Sequence, residues 1–280
     1  MTYARLGARA DPGDFLESRR RYPGIWSKSA SRSNSDSMSN ALCSCPLMNS
    51  KLPTIELARS GPLFAVLLAL VPLAFWPGYL SKLFETSNAY VHMHAVTATL
   101  WMLMLIVQPL AIGARRFTLH RIIGAASYVL APLVVASMVL LAHSRNRSPD
   151  VTSSFLYLQL SLAVVFGLSY ALAILTRRRV ALHARFMVCT GLTMIDPVVH
   201  RVMIFWWDST PAWNYFWFTF GLTDLILLAL IWLERRRPTG RVVFPAMLAV
   251  FLAVQVPVLL QTQTPAWRAF ARWFASLPLT

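Results

Sequence analysis

Acidic residues are scarce in this chain: 11 Asp and Glu stand against 26 Lys and Arg in 280 residues. Charged residues together make up 13%, where a soluble globular protein carries about a quarter. So little charge cannot clothe a soluble surface, which excludes an ordinary soluble domain. Only three cysteines are present, Cys43, Cys45 and Cys189, too few for a disulfide framework. No apolar core lies near the N-terminus, so a cleavable signal peptide is not expected there.

What is present is apolar. Hydrophobic residues reach 56% and the mean hydropathy is +0.53, the composition of an integral membrane protein. The expected fold class is an all-α polytopic membrane helix bundle. A span needs about 20 apolar residues to cross some 30 Å of hydrocarbon. Seven stretches qualify, at 62–80, 90–112, 122–142, 154–176, 185–206, 212–233 and 242–261, making a transmembrane domain of residues 61–262. Residues 1–60 are rich in Ser and Arg and lack apolar periodicity, so they read as a disordered basic tail. Its Cys43-Ser44-Cys45 is a weak metal signal without a second pair. Residues 263–280 set Trp267, Phe270, Trp273 and Phe274 against Arg268 and Arg272, the pattern of an amphipathic helix lying in the interface.

Orientation follows from the basic loops. The loops after the second, fourth and sixth spans carry Arg115, Arg116, Arg121; Arg177, Arg178, Arg179, Arg185; and Arg235, Arg236, Arg237, Arg241. The opposite loops carry only Lys82, Arg145 and Arg147, together with an aromatic cluster of Phe205, Trp206, Trp207, Trp213, Tyr215 and Trp217. The Arg-rich end is therefore expected in the cytoplasm with the N-terminus, facing anionic lipid headgroups. The expected location is the inner membrane of a bacterium. The lipid bilayer is the expected partner. Nucleic acid is not, because the basic residues follow topology.

Ionisable groups inside a bilayer are costly and mark candidate sites. All six histidines fall in two layers. The outer layer holds His92 and His94 in the second span, His143 at the end of the third and His200 near the end of the fifth; the inner holds His120 and His183. Asp196 precedes His200 by four residues, which puts both on one helix face. His94, Asp196 and His200, with His92 or Gln159 near a fourth position, form a candidate site for zinc, copper or haem. His92 and His94 are two apart, and on a regular helix they diverge by about 200°, so His94 is the stronger ligand. The structural alternative has Asp196 pairing with Arg201 or a neighbouring helix, and His92 and His143 solvated at the interface.

His120 and His183 sit at equal depth beside arginines, a second candidate cofactor pair. Bis-imidazole haem needs histidines facing across two helices, with Arg for the propionates; His94 and His200 would then hold a second haem, as in membrane b-type cytochromes. Both inner histidines close an R-R-x-x-L-H pattern, at Arg115-Arg116 to His120 and Arg178-Arg179 to His183, which suggests repeated helix pairs. Asp224 and Gln255 lie near mid-membrane and are expected to face one another. Gln108-Pro109 is expected to kink the second span.

The run His92-Met-His94, Thr99-Leu-Trp101, Gln108-Pro109 and Leu119-His120-Arg121-Ile-Ile-Gly124 resembles a group of uncharacterised bacterial integral-membrane proteins. Leu182-His183-Ala-Arg185-Phe-Met187 and Asp196-Pro197 are similar as well, so the likeness covers residues 60–235. It implies a membrane location and little chemistry. Loose relatives among haem-copper oxidase assembly proteins imply metal or haem handling. Seven spans and a cytoplasmic N-terminus are also shared with the alkaline ceramidase and adiponectin-receptor superfamily, but that group's paired histidines belong to its last span, and none is found here. Three function classes stay open: a metal- or haem-binding redox or assembly protein, an intramembrane metal hydrolase, and a non-catalytic membrane or transport component.

The loop charges generate a direct test of topology. A reporter active only outside the cytoplasm should work when fused after Thr280 and fail when fused after Arg237; the reverse pattern would invert the orientation.

Overall fold

The computed structural model describes residues 60–85, 88–147, 154–207 and 215–280. The expected tail, its Cys43 and Cys45, and Trp213 lie outside these residues. The architecture is an all-α helical membrane bundle. Its helices are α1 (Ser60–Phe75), α2 (Ala89–Gly113), α3 (Phe117–Arg145), α4 (Ser154–Leu175), α5 (Val180–Leu192), α6 (Ile195–Trp206), α7 (Tyr215–Glu234), α8 (Val243–Leu259) and α9 (Pro265–Ser276), with a short 3-10 turn at Leu80–Lys82. α2, α3, α4, the α5–α6 column and α7 are long and apolar enough to cross a membrane. α1 and α8, at 16 and 17 residues, span only about 24–26 Å at about 1.5 Å per residue.

The helices start and stop where the sequence supplies caps and breakers. Asn88 caps α2 by accepting from the Tyr90 amide at 2.9 Å. Thr264 caps α9 in the same way, with Pro265 opening the helix. Leu63, Val66, Val129, Val164 and Leu225 are exposed on the bundle surface, where apolar side chains suit lipid contact.

One departure from the expected spans is decisive. The fifth column is not continuous but breaks at Thr193–Met194 between α5 and α6. Pro197 is the cause. It has no amide to bond the Thr193 carbonyl, and its ring crowds that carbonyl. The turn is closed instead by Met194 N–H to the Gly191 carbonyl and Thr193 Oγ1 to the Thr190 carbonyl, at 3.0 and 2.8 Å.

Packing places this broken column at the centre. α1 packs on α2, α2 on α3, α3 on α4, α4 on α8, α8 on α7, α7 on α6 and α6 back on α1. α5 sits within that ring, against α2, α4 and α8. In keeping with this, 61% of the column's apolar window is buried, against 28–39% for the other four. Trp101, Phe166, Phe220, Phe244 and Phe251 fill the core between columns. Gly191 permits the close approach of α5 to α1, since a Cβ there would meet the Phe64 ring at 2.2 Å.

At the Arg-rich end α5 is held by charge. Arg185, 4% exposed, donates from Nε to Glu234 of α7 at 2.5 Å and from Nη1 to the Ala181 carbonyl at 2.7 Å. Gly240, at φ +78°, passes so close that a Cβ would stand 2.8 Å from the guanidinium. At the other end Ala271 and Phe274 of α9 pack on Ala142 of α3 and Leu156 of α4. His143 is buried there, not solvated: its Nδ1 lies 2.7 Å from Thr280 Oγ1 and its ring meets Phe274 edge-on.

Removing one partner of a buried ion pair strands the other charge, at a cost of roughly 3–5 kcal/mol. Glu234→Gln should therefore lower the denaturation midpoint of the purified protein in detergent by a margin that Glu234→Asp does not match. An unchanged midpoint would mean that Arg185 is compensated elsewhere.

Candidate functional site

Two cavities flank the central column, one toward each end of the bundle. The cavity at the Trp-rich end encloses about 360 Å³ and is lined by His94 and Met102 of α2, Val134 and Arg145 of α3, Gln159 and Phe166 of α4, and Asp196, His200 and Arg201 of α6. The cavity at the Arg-rich end encloses about 440 Å³ and is lined by Met104 and Gln108 of α2, His120, Arg121 and Tyr128 of α3, Arg177, and His183 and Arg185 of α5. Between them Trp101 is fully buried, edge-on to Phe166 and Tyr170, and its indole N–H donates to Thr190 Oγ1 at 3.2 Å.

In the Trp-rich cavity the histidines come from two helices. His94 Nδ1 is 3.1 Å from Ser137 Oγ of α3. Ser137 Oγ also lies 2.8 Å from the Val134 carbonyl and 3.0 Å from Thr97 Oγ1, a network in which the ring donates from Nδ1 when Ser137 gives its proton to that carbonyl. His200 stacks on Phe216 at 4.2 Å, and its Nδ1 is buried without a partner. Asp196 Oδ1 accepts from Thr223 Oγ1 at 3.0 Å, while its Oδ2 and Gln159 Oε1 are buried without partners.

Of the two structural alternatives for Asp196, the neighbouring helix supplies its partner, Thr223, and the ion pair with Arg201 does not form. Arg201 donates to the Pro197 carbonyl at 2.8 Å and lies over the Phe75 ring at 4.7 Å rather than pairing with Asp196. Arg145, exposed at the end of α3, lines the same cavity. Among the described residues neither guanidinium forms an ion pair, although Asp196 lines the same cavity.

Two further expectations are corrected. His92 does not line this cavity; its Nδ1 lies 2.9 Å from the Tyr79 hydroxyl, as the divergence of residues two apart on a regular helix requires. Among the described residues no three or more of His, Cys, Asp and Glu gather closely enough to hold one metal ion. His94, Asp196 and His200 share a cavity but not an ion.

The Arg-rich cavity repeats the arrangement. His120 and His183 each follow an N-terminal Arg by one turn, His120 N–H bonding the Arg116 carbonyl at 3.1 Å and His183 N–H the Arg179 carbonyl at 3.0 Å. The R-R-x-x-L-H pattern is therefore a shared local structure. His183 Nδ1–H donates to the Ala173 carbonyl at 2.9 Å, an acceptor that fixes the tautomer and leaves Nε2 as the basic nitrogen. His120 Nδ1 and Gln108 Oε1 are buried without partners. Arg177 donates to the Tyr128 hydroxyl at 2.6 Å.

Near the break, Asp224 of α7 faces Gln255 of α8, as expected. Asp224 Oδ1 and Gln255 Nε2 are nonetheless buried without completed hydrogen bonds.

The sequence pointed to Arg201 only as a partner for Asp196 and to Arg145 only as a loop charge, not to either as a cavity residue. The signal was there: Arg201 follows His200 within an apolar span. Comparisons with protein-family models, curated proteins and solved structures return no match. Function has to be read from the geometry.

If the cavities open toward opposite ends, single cysteines at Ala98 and Ala125, which line one cavity each, should differ in sidedness. In a chain whose own cysteines are replaced, a membrane-impermeant maleimide added to one face should label one and spare the other. Labelling of both from the same face would contradict the arrangement.

Proposed function

We propose that this chain is a membrane haem protein that holds a b-type haem in the Trp-rich cavity through His94 and His200. The carrying observation is that two imidazoles from different helices enter one cavity, which also holds Asp196 and two arginines, Arg145 and Arg201, that form no ion pair among the described residues. A bare cation is poorly matched to that surrounding, and among the described residues no group supplies the three ligands that a metal hydrolase requires. A bis-imidazole haem needs only two protein ligands. It is a flat apolar group bearing two carboxylates, which suits apolar walls at Val134, Met138, Leu158 and Leu162 with Arg145 and Arg201 beside them. Gln159 Oε1 and Asp196 Oδ2 leave polar capacity for a bridging water. When bound, haem supplies one-electron redox chemistry.

The same bundle has features of a solute path: a half-helix begins at mid-membrane beside a cavity, as in many transporters. Anionic solute transport is therefore the second reading. In either reading we take the Arg-rich end to lie on the cytoplasmic side of a bacterial inner membrane, against anionic headgroups; the loop charges support that orientation.

Visible spectroscopy separates the two. The protein purified from cells supplied with haem precursor should be red and show a reduced-minus-oxidised difference spectrum. His94→Ala or His200→Ala should weaken haem retention at this site by more than about tenfold, since even supporting groups around a ligand are worth 10–100-fold. A colourless protein that takes up an anionic solute into vesicles would support transport instead.

A further inference from the structure

We infer that the Arg-rich cavity is a second bis-histidine haem site, on His120 and His183, and that the two sites together carry electrons across the membrane. This rests on the haem reading of the Trp-rich cavity.

The second site stands on its own observations. α3 and α5 form no main packing contact, yet both place a histidine in the 440 Å³ space between them. The two arrive by the same local device, one turn after a capping Arg. His183 is already oriented by the Ala173 carbonyl, and His120 has a buried nitrogen with nothing to satisfy it. Arg121 and Arg177 also line the space, as carboxylate partners for propionates. Arg185 does not serve this role, because Glu234 neutralises it.

Position gives the pair its function. His183 and His200 belong to one broken column and lie 17 residues apart, at most about 25 Å along it at about 1.5 Å per residue, since the break at Thr193–Met194 interrupts the helix. The two cavities thus divide the membrane thickness between them. Between them stands the fully buried Trp101, edge-on to Phe166 and Tyr170. Transfer moves one electron: ferrous iron at one site is oxidised to ferric as ferric iron at the other is reduced to ferrous. No bond forms and no proton moves. A one-electron reductant on one face and a one-electron oxidant on the other complete the balance.

The test begins with haem per chain, measured as the pyridine haemochrome against protein. The wild type should bind about two, and His120→Ala and His183→Ala about one each, with the His94–His200 site still filled as proof of folding. The chain is then placed in vesicles holding ferricyanide, with dithionite outside and valinomycin with potassium to balance charge. Wild-type vesicles should reduce the trapped ferricyanide; His183→Ala vesicles should fall to the rate of empty ones. One haem per wild-type chain, unaffected by either substitution, would overturn the second site while leaving the first. Two haems without reduction of trapped ferricyanide would overturn electron crossing. No haem on the wild type would remove the reading beneath both.

Discussion

The structure depends on the interruption of its central column by Pro197. A continuous helix would keep the same neighbours along its length. Here α5 lies among α2, α4 and α8, while α6 leans between α1 and α7. The change of neighbours at Thr193 leaves space beside each half of the column, and those spaces are the two cavities. Gly191, with no room for a Cβ against Phe64, and the Arg185–Glu234 pair hold α5 in its position. Pro197 also places Asp196 in the first turn of α6 and so brings it to Thr223 of α7.

Charge compensation then sets the chemistry. A guanidinium within a bundle is tolerated when paired, and Arg185 is paired on Glu234. Arg201 is treated otherwise. It has a carbonyl and an aromatic face for partners and opens on a cavity that also holds Arg145. A compact divalent cation would add charge of the same sign. An amphipathic ligand with acidic groups would remove the imbalance and use the apolar walls as well. Histidine pairs on facing helices add what such a ligand needs if it carries iron.

Much of the fold was legible because a membrane reduces the options: long apolar runs bounded by arginines become helices. The seven expected spans correspond in order to α1, α2, α3, α4, the α5–α6 column, α7 and α8. The break was missed although Asp196-Pro197 stood in the sequence, because apolar content alone does not distinguish a continuous span from two half-helices. At the sites, depth ordering set His92, His94, His143 and His200 in one layer and His120 and His183 in the other; of the first layer His94 and His200 line one cavity, and the second pair lines the other. Depth could not give rotation, so Asp196 entered a metal triad that does not form, and the hydroxyl partner of His92 was invisible. His143 reads as a surface residue until α9 is seen to cover it.

The central claim is that each cavity is shaped around a planar iron group gripped by two imidazoles. A cryo-electron microscopy map of the protein purified with its native cofactors tests it most directly. The expected result is flat density joining His94 to His200 and His120 to His183, with arms reaching the arginines of each cavity. Cavities filled by lipid chains, or collapsed with the histidines turned apart, would contradict it.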